Sequence, residues 1–187
     1  MTIQLTRTTT TSPRVRVWDI GVRLFHWSLV ASVAATYFVA DQRALHRWLG
    51  YVVLALIGFR LIWGVIGGKH ARFANFVPGP RAFARYMVAT AKGREARFLG
   101  HNPAGGAMIV ALLVTLACVG GSGYMMGMDA YFGVEWVEDT HKLLVNALLA
   151  LIGLHVSGVI LSSLRHRENL VLSMVTGLKE ADTAYPH

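Results

Sequence analysis

Charge is what this sequence has least of. Only 15% of its 187 residues are charged, while 54% are hydrophobic; a typical soluble domain carries about 25% charged residues. That shortage excludes an ordinary water-soluble globule and points to a membrane protein. Cysteine is nearly absent. Cys118 is the single one and sits within an apolar run, so there is no intrachain disulfide and no cysteine spacing for zinc or iron–sulfur binding. The first residues lack the apolar core of a signal peptide: 1–16 are polar, with a threonine run, and read as a short, flexible cytoplasmic tail. The formal net charge of +8 would fit nucleic acid if it were gathered on one polar surface, but the basic residues lie between apolar blocks, so no nucleic-acid partner is expected.

What the chain does have is long apolar stretches. A membrane crossing needs about 20 mostly apolar residues, and four stretches qualify: residues 20–40, 45–67, 105–126 and 140–164. The connection 41–44 is so short that the first two must form an antiparallel hairpin. Residues 68–103 make a long polar connection with Pro78 and Pro80, and an amphipathic surface helix is expected at 81–91. Arg7, Arg14, Arg16 and Arg23 precede or open the first span. Lys69, Arg72, Arg81, Arg85, Lys92, Arg94 and Arg97 fill the long connection, and Arg165, Arg167 and Lys179 follow the last span. The opposite side has only Arg43, Arg47 and Lys142, with Asp41, Asp129, Glu135, Glu138 and Asp139 nearby. Basic residues favour the cytoplasmic side, which places both termini there. The fold class expected is an all-α membrane protein: a four-helix bundle over 17–179, with tails at 1–16 and 180–187.

Histidine carries the chemistry. Of the eight, His70, His101, His166 and His187 fall in polar connections or at the end, and read as solvated or interfacial. His26, His46, His141 and His155 lie inside or at the edges of spans, where an ionisable side chain is costly without a partner. His141 and His155 are fourteen residues apart, which puts them within about 40° of one helix face and about 21 Å apart along the axis. Depth sorts the four. His26 and His155 match in the inner half, and His46 and His141 match at the outer surface. Two imidazoles from different helices at one level suit the two axial positions of a low-spin haem. With no C-x-x-C-H in the chain, such a haem would be held without thioether links. Zinc needs three or four converging ligands, and each level supplies two. Unpartnered helix histidines bonded to backbone carbonyls or waters are the plainer alternative. Arg60, fourteen residues after His46, reaches the inner level on the same helix face and suits a haem propionate; snorkelling to the inner surface is its other reading. Gly50, Gly153 and Gly158 clear side chains from beside the ligands. Trp18, Trp27, Trp48, Trp63 and Trp136 lie near span ends, as interfacial belts do.

Several segments together resemble the bacterial four-helix cytochromes b of the b561 and nickel–iron hydrogenase type. These are Val17-Trp18-Asp19, Arg23-Leu24-Phe25-His26-Trp27, Leu45-His46-Arg47-Trp48-Leu49-Gly50, Phe59-Arg60-Leu61-Ile62-Trp63, Gly100-His101-Asn102-Pro103-Ala104-Gly105-Gly106, Leu154-His155-Val156-Ser157-Gly158, and the closing run from Ser162 to Val171. The resemblance covers residues 15–179. It implies two non-covalent b haems, one on His26 and His155 and the other on His46 and His141, in a bacterial inner-membrane protein. It further implies electron transfer between the quinone pool and a partner redox protein, such as a periplasmic c-type cytochrome, a dehydrogenase or a hydrogenase. Some relatives oxidise superoxide and reduce quinone, and Arg43, Arg47 and Lys142 near the outer pair keep that alternative open. A homodimer also stays open. A rival of another class is a haem-free membrane anchor or transporter.

Overall fold

The computed structural model describes residues 13–181. Residues 1–12 and 182–187, with Arg7 and His187, lie outside the described residues. Four long helices occupy the four apolar stretches: α1 (Ile20–Phe38), α2 (Arg43–Ile66), α5 (Pro103–Met125) and α6 (Glu135–His166). Between α2 and α5 lie α3 (Phe73–Phe76) and α4 (Pro80–Ala91), and α7 (Leu170–Thr176) follows α6. Helices α2, α5 and α6 are long and apolar enough to cross a membrane. Helix α1 is not in that set: its 19 residues include Arg23, His26 and several hydroxyl side chains, which lower its apolarity.

Local chemistry sets the helix ends. Asp19 caps α1 by accepting from the Val22 backbone N–H at 2.9 Å, and also accepts the Trp63 indole N–H at 3.1 Å, which ties the start of α1 to the end of α2. Asn102 caps α5 through the Gly105 N–H at 2.7 Å, with Pro103 in the first turn. This explains the Asn102-Pro103 pair as a helix start. At the next position but three, a side chain on Gly106 would collide with the Phe76 carbonyl, so glycine lets the α3 segment pass close to α5. Helix α6 begins five residues before the apolar stretch does. Glu135 and Glu138 in its first turn and Arg165 and His166 in its last complement the helix dipole, and polar turns of this kind are invisible to hydropathy. It stops at Arg167, whose φ of 51° is left-handed.

The helices pack as α1 on α2, α2 on α5 and α5 on α6. The mid-bundle core is Val53, Ile57, Leu116 and Leu148, with Leu29, Val33, Leu54, Leu112, Val119 and Ile152 around it. The outer faces keep Leu24, Val30, Leu61, Ile62, Val114, Leu154 and Ile160 exposed, an apolar collar far larger than a soluble monomer shows.

Two features depart from the expected all-α bundle with free tails. Residues 14–16, expected within a flexible tail, form strand β1 (Arg14–Arg16), which pairs antiparallel with β2 (Leu178–Glu180) in the register Arg14↔Glu180, Val15↔Lys179, Arg16↔Leu178. Each run is three residues long, too short to carry a strand signal, and only the pairing makes the ribbon. Below it is an ionic latch. Lys179, 5% exposed, bonds Glu168 at 3.3 Å and donates to the Phe98 carbonyl at 3.2 Å. Arg97 bonds the other oxygen of Glu168 at 3.1 Å and the Glu180 carbonyl at 2.8 Å. Arg165 pairs with Glu95 at 2.7 Å and reaches the Thr90 carbonyl. The connection, the end of α6 and both chain-end segments are therefore fastened at one end of the bundle.

Removing one partner of a buried ion pair leaves the other charge uncompensated. Glu168→Ala is expected to cost about 3 kcal/mol and lower the thermal unfolding midpoint of the detergent-solubilised protein, followed by tryptophan fluorescence. The exposed Asp139–Lys142 pair at 3.3 Å serves as control, and its loss should change stability by less than about 1 kcal/mol.

Candidate functional site

The outer histidines meet. His46, in the first turn of α2, and His141, in the second turn of α6, face each other with ring centroids 6.3 Å apart and planes at 73°. A metal–imidazole bond of about 2 Å on each side, plus about 1 Å from ring nitrogen to centroid, places two axial imidazoles about 6 Å apart. The separation is thus too long for ring stacking and right for one metal between two nitrogens.

Each ring also has its remote nitrogen anchored. His46 Nδ1 lies 2.9 Å from the Thr36 carbonyl, in the last turn of α1, where helix carbonyls lack intrahelical partners. A carbonyl can only accept, so Nδ1 carries the proton and Nε2 keeps its lone pair. His141 Nδ1 lies 3.0 Å from Ser122 Oγ on α5, and Ser122 Oγ donates to the Val119 carbonyl at 3.0 Å. A side chain on Gly123 would approach His141 Cε1 to 3.2 Å. Ligating histidines characteristically fix their second nitrogen in this way.

The inner histidines stand in different surroundings. His26 stands on α1 and His155 on α6. The His26 ring meets Trp27 edge-on at 5.0 Å, and its Nδ1 is shut off from solvent without a hydrogen-bond partner. Arg60 is 3% exposed, with its guanidinium 4.6 Å above the Phe73 ring and 5.7 Å from Phe76; its Nη1 is buried and unpartnered. A buried guanidinium nitrogen without an acceptor calls for an anion, and this burial removes the snorkelling reading. No atom lies within 4 Å of a side-chain position built on Gly50, Gly153 or Gly158. The orphaned nitrogens, the open glycine positions and the nitrogen donor set fit a flat, dianionic macrocycle.

His101 is a correction to the sequence reading. Of the two readings, solvated or interfacial, the solvated one fails: the half-buried ring packs against Trp18 at 4.5 Å and Phe76 at 4.7 Å, and its Nδ1 is buried without a partner. Burial, reinforced by Arg60, Lys179, His70 and His155, pushes its pKa down to about 3. His70 is also held below its ordinary value, by burial and by Lys69 and Lys179. A cavity of about 170 Å³ opens beside them, lined by Lys69, His70, Asn75, Phe76, Phe98, Gly100 and His101. Trp18 is likewise no belt residue. It is 7% exposed and donates to Ser173 Oγ at 3.4 Å. Trp63 is tied to Asp19, while Trp27, Trp48 and Trp136 are exposed as a belt requires. The Gly100-His101-Asn102-Pro103 tract held the signal for His101, because a residue directly before a capped helix start is fixed in place.

Lipid-spanning helices that present opposed, anchored imidazoles define a membrane-integral electron-transfer protein of the cytochrome b class. The family model for prokaryotic cytochrome b561 matches residues 17–177, and the chain belongs to that family. It is 22% identical over 214 residues to a probable Ni/Fe-hydrogenase B-type cytochrome subunit of Bradyrhizobium diazoefficiens, covering 90% of this chain and 87% of that relative. No solved structure matches the chain.

The depressed pKa of His101 has a sign. The unfolded chain takes up this proton near pH 6.5 and the folded chain near pH 3, so the unfolded state binds more protons between them and acidification destabilises the fold. His101→Gln should flatten the loss of thermal stability between those two pH values relative to the parent. An unchanged acid slope would show that His101 is not held neutral by the fold.

Proposed function

We propose that the chain crosses the bacterial inner membrane four times, with both termini cytoplasmic, and conducts electrons through two b haems. His46 and His141 would hold the outer haem and His26 and His155 the inner, with Arg60 as counter-ion to an inner propionate. The electrons pass between the quinone pool and a partner redox protein, such as a periplasmic c-type cytochrome or a hydrogenase or dehydrogenase. The opposed pair at 6.3 Å is the observation that carries this reading.

Four crossings are supported by the short turn after α1. Helix α1 packs antiparallel on α2 and at 19 residues is about 28 Å long, near the thickness of the hydrocarbon core. The family relationship supports haem b as cofactor, and a hydrogenase-type relative supports a redox partner in or at the membrane. The basic connection, both strands and the ionic latch all lie at the end opposite His46 and His141, which supports an inner end carrying both termini.

Haem b supplies one-electron chemistry when bound. This chain's residues do the rest. His46 and His141 keep their Nδ1 protons on Thr36 and Ser122 and present Nε2. A haem held by both histidines of a pair would be poorly disposed to bind oxygen. Arg60 balances negative charge at the inner level, and Phe73 and Phe76 exclude water from it. The cavity beside His101, with Lys69, His70 and Asn75 as polar groups, is where a quinone ring would meet the inner end and exchange protons with the cytoplasm.

Superoxide oxidation remains the second reading, and it rests on Arg43 and Arg47 at the outer end. Lys142, the third cation there, is engaged with Asp139. Stopped-flow haem reduction by superoxide, coupled to quinone reduction, separates it from a partner-dependent conductor.

The dithionite-reduced, purified protein should show a b-type α-band, and the pyridine haemochrome assay should give two haems per chain. His26→Ala or His155→Ala should remove one haem and keep the other, as should His46→Ala or His141→Ala. Absence of haem would favour an anchor or transporter, and loss of both haems from single variants would contradict the pairing. Arg60→Met should leave two haems but lower the midpoint potential of the inner one, since a buried cation favours the reduced state.

A further inference from the structure

We propose that Ser122 is a positioning residue for the outer pair, and that its hydrogen bond to His141 helps make the outer haem the lower-potential member of the two. This rests on the two-haem reading above. A neutral imidazole has one N–H, so a ring that ligates through Nε2 must carry its proton on Nδ1. His141 Nδ1 then donates to Ser122 Oγ, 3.0 Å away. Ser122 has one hydroxyl proton, and its bond to the Val119 carbonyl at 3.0 Å uses it. The serine is therefore oriented as an acceptor toward His141, in a one-way chain of two hydrogen bonds that ends on helix backbone. It is 7% exposed and borders the apolar cavity between α5 and α6; the Val119 carbonyl lies within reach of His141 as well.

The opposite ligand is treated alike, since His46 Nδ1 lies 2.9 Å from the Thr36 carbonyl. An imidazole that donates through Nδ1 becomes more electron-rich at Nε2 and stabilises the oxidised metal. The inner pair has the reverse environment. His26 Nδ1 is buried with no acceptor, and Arg60, with an unpartnered nitrogen, brings a buried cation to the same end. A cation stabilises the reduced, less positive centre. The cations at the outer end, Arg43 and Arg47, are exposed and screened by water, while Arg60 is buried, with Asp19 as the nearest opposing charge. Ligand basicity and the buried charge thus separate the two potentials in one direction. With haems held at both levels, this ordering would favour electron flow from a one-electron donor at the outer end toward the inner end, where two such electrons and two protons from the cytoplasm would be needed to reduce one quinone to quinol. The Nδ1 protons stay on their rings throughout, so this transfer between haems is not coupled to a proton.

Spectroelectrochemical titration tests this directly. In His26→Ala, which keeps the outer haem alone, the midpoint should lie below that of the haem left in His46→Ala. Adding Ser122→Ala to His26→Ala should raise the midpoint by roughly 59 mV, a tenfold change in a one-electron equilibrium. Ser122→Thr, which keeps the hydroxyl, should restore it. The low-spin electron paramagnetic resonance signal of the outer haem should shift with Ser122→Ala and return with Ser122→Thr. An unchanged midpoint in Ser122→Ala with haem retained overturns the role of Ser122. An outer midpoint above the inner one, readable from the two histidine variants even if Ser122→Ala does not fold, overturns the ordering. Loss of all haem from His26→Ala would instead sink the two-haem reading beneath it.

Discussion

An imidazole inside a bilayer has two nitrogens and almost no water to satisfy them, and the arrangement of this bundle follows from that constraint. Each unsatisfied polar group in hydrocarbon is costly. At the outer end the requirement is met twice over. The Thr36 carbonyl exists as an acceptor because α1 ends there and leaves its last carbonyls unpaired. Ser122 can accept from His141 because its own proton goes back to Val119. With both Nδ1 atoms engaged, the two Nε2 atoms are left for whatever lies between the rings. A helix terminus on one side and a serine on the other therefore determine which nitrogens are available to a ligand.

The inner end solves a different problem, which is how to keep charged groups buried. Arg60 is covered by Phe73 and Phe76, and Gly64 has no side chain because the Phe73 ring occupies that place. Those two phenylalanines belong to the connection, so its fold is a condition for burying Arg60. The connection is held in turn by Arg97, Glu168 and Lys179, and by Arg165 on Glu95. The Arg23 guanidinium bonds the Val175 carbonyl, and Trp27 bonds that of Met174, which fasten α7 across the start of α1. A chain of contacts thus runs from the ends of the sequence to the level of His26 and His155. None of its members has an obvious role when taken alone.

How much of this was legible in sequence follows from range. Apolar runs located the four long helices because hydropathy is a local property, and α4 at Pro80–Ala91 falls where an amphipathic segment was expected. The His46–His141 juxtaposition was legible because helix rise converts residue number into depth. His101, Trp18 and Ser122 were not. His101 lies in a connection, and the passage of α3 and the start of α1 on either side of it half-bury its ring and shut off its Nδ1. Trp18 sits at the edge of a span, just as a belt tryptophan does, and differs in being buried against Ser173 and His101. Ser122 looks like any small residue of a membrane helix until His141 is placed across from it. The strand pair joins residues more than 160 positions apart, and no window of sequence contains both halves.

The two ends therefore differ in kind, and the difference bears on function. The outer pair is held by neutral hydrogen bonds, close to a short turn and a loop with little of the bundle above it. The inner pair lies beneath a connection rich in cations, beside buried His101 and a cavity that opens among Lys69, His70 and Asn75. A site that exchanges only electrons needs proximity to the surface and fixed ligands, which is what the outer end offers. A site that also moves protons needs polar groups, a sheltered space and a route to water. Among the described residues these occur together at the inner end, whereas the cavity of about 470 Å³ beside the outer pair is lined chiefly by apolar groups such as Met125, Trp136, Val137 and Leu144. On the proposed reading, quinone chemistry belongs on the side where a cavity meets polar, titratable groups, and a one-electron partner on the other. That assignment depends on charge and hydrogen bonding at each end, and not on any one residue of either site.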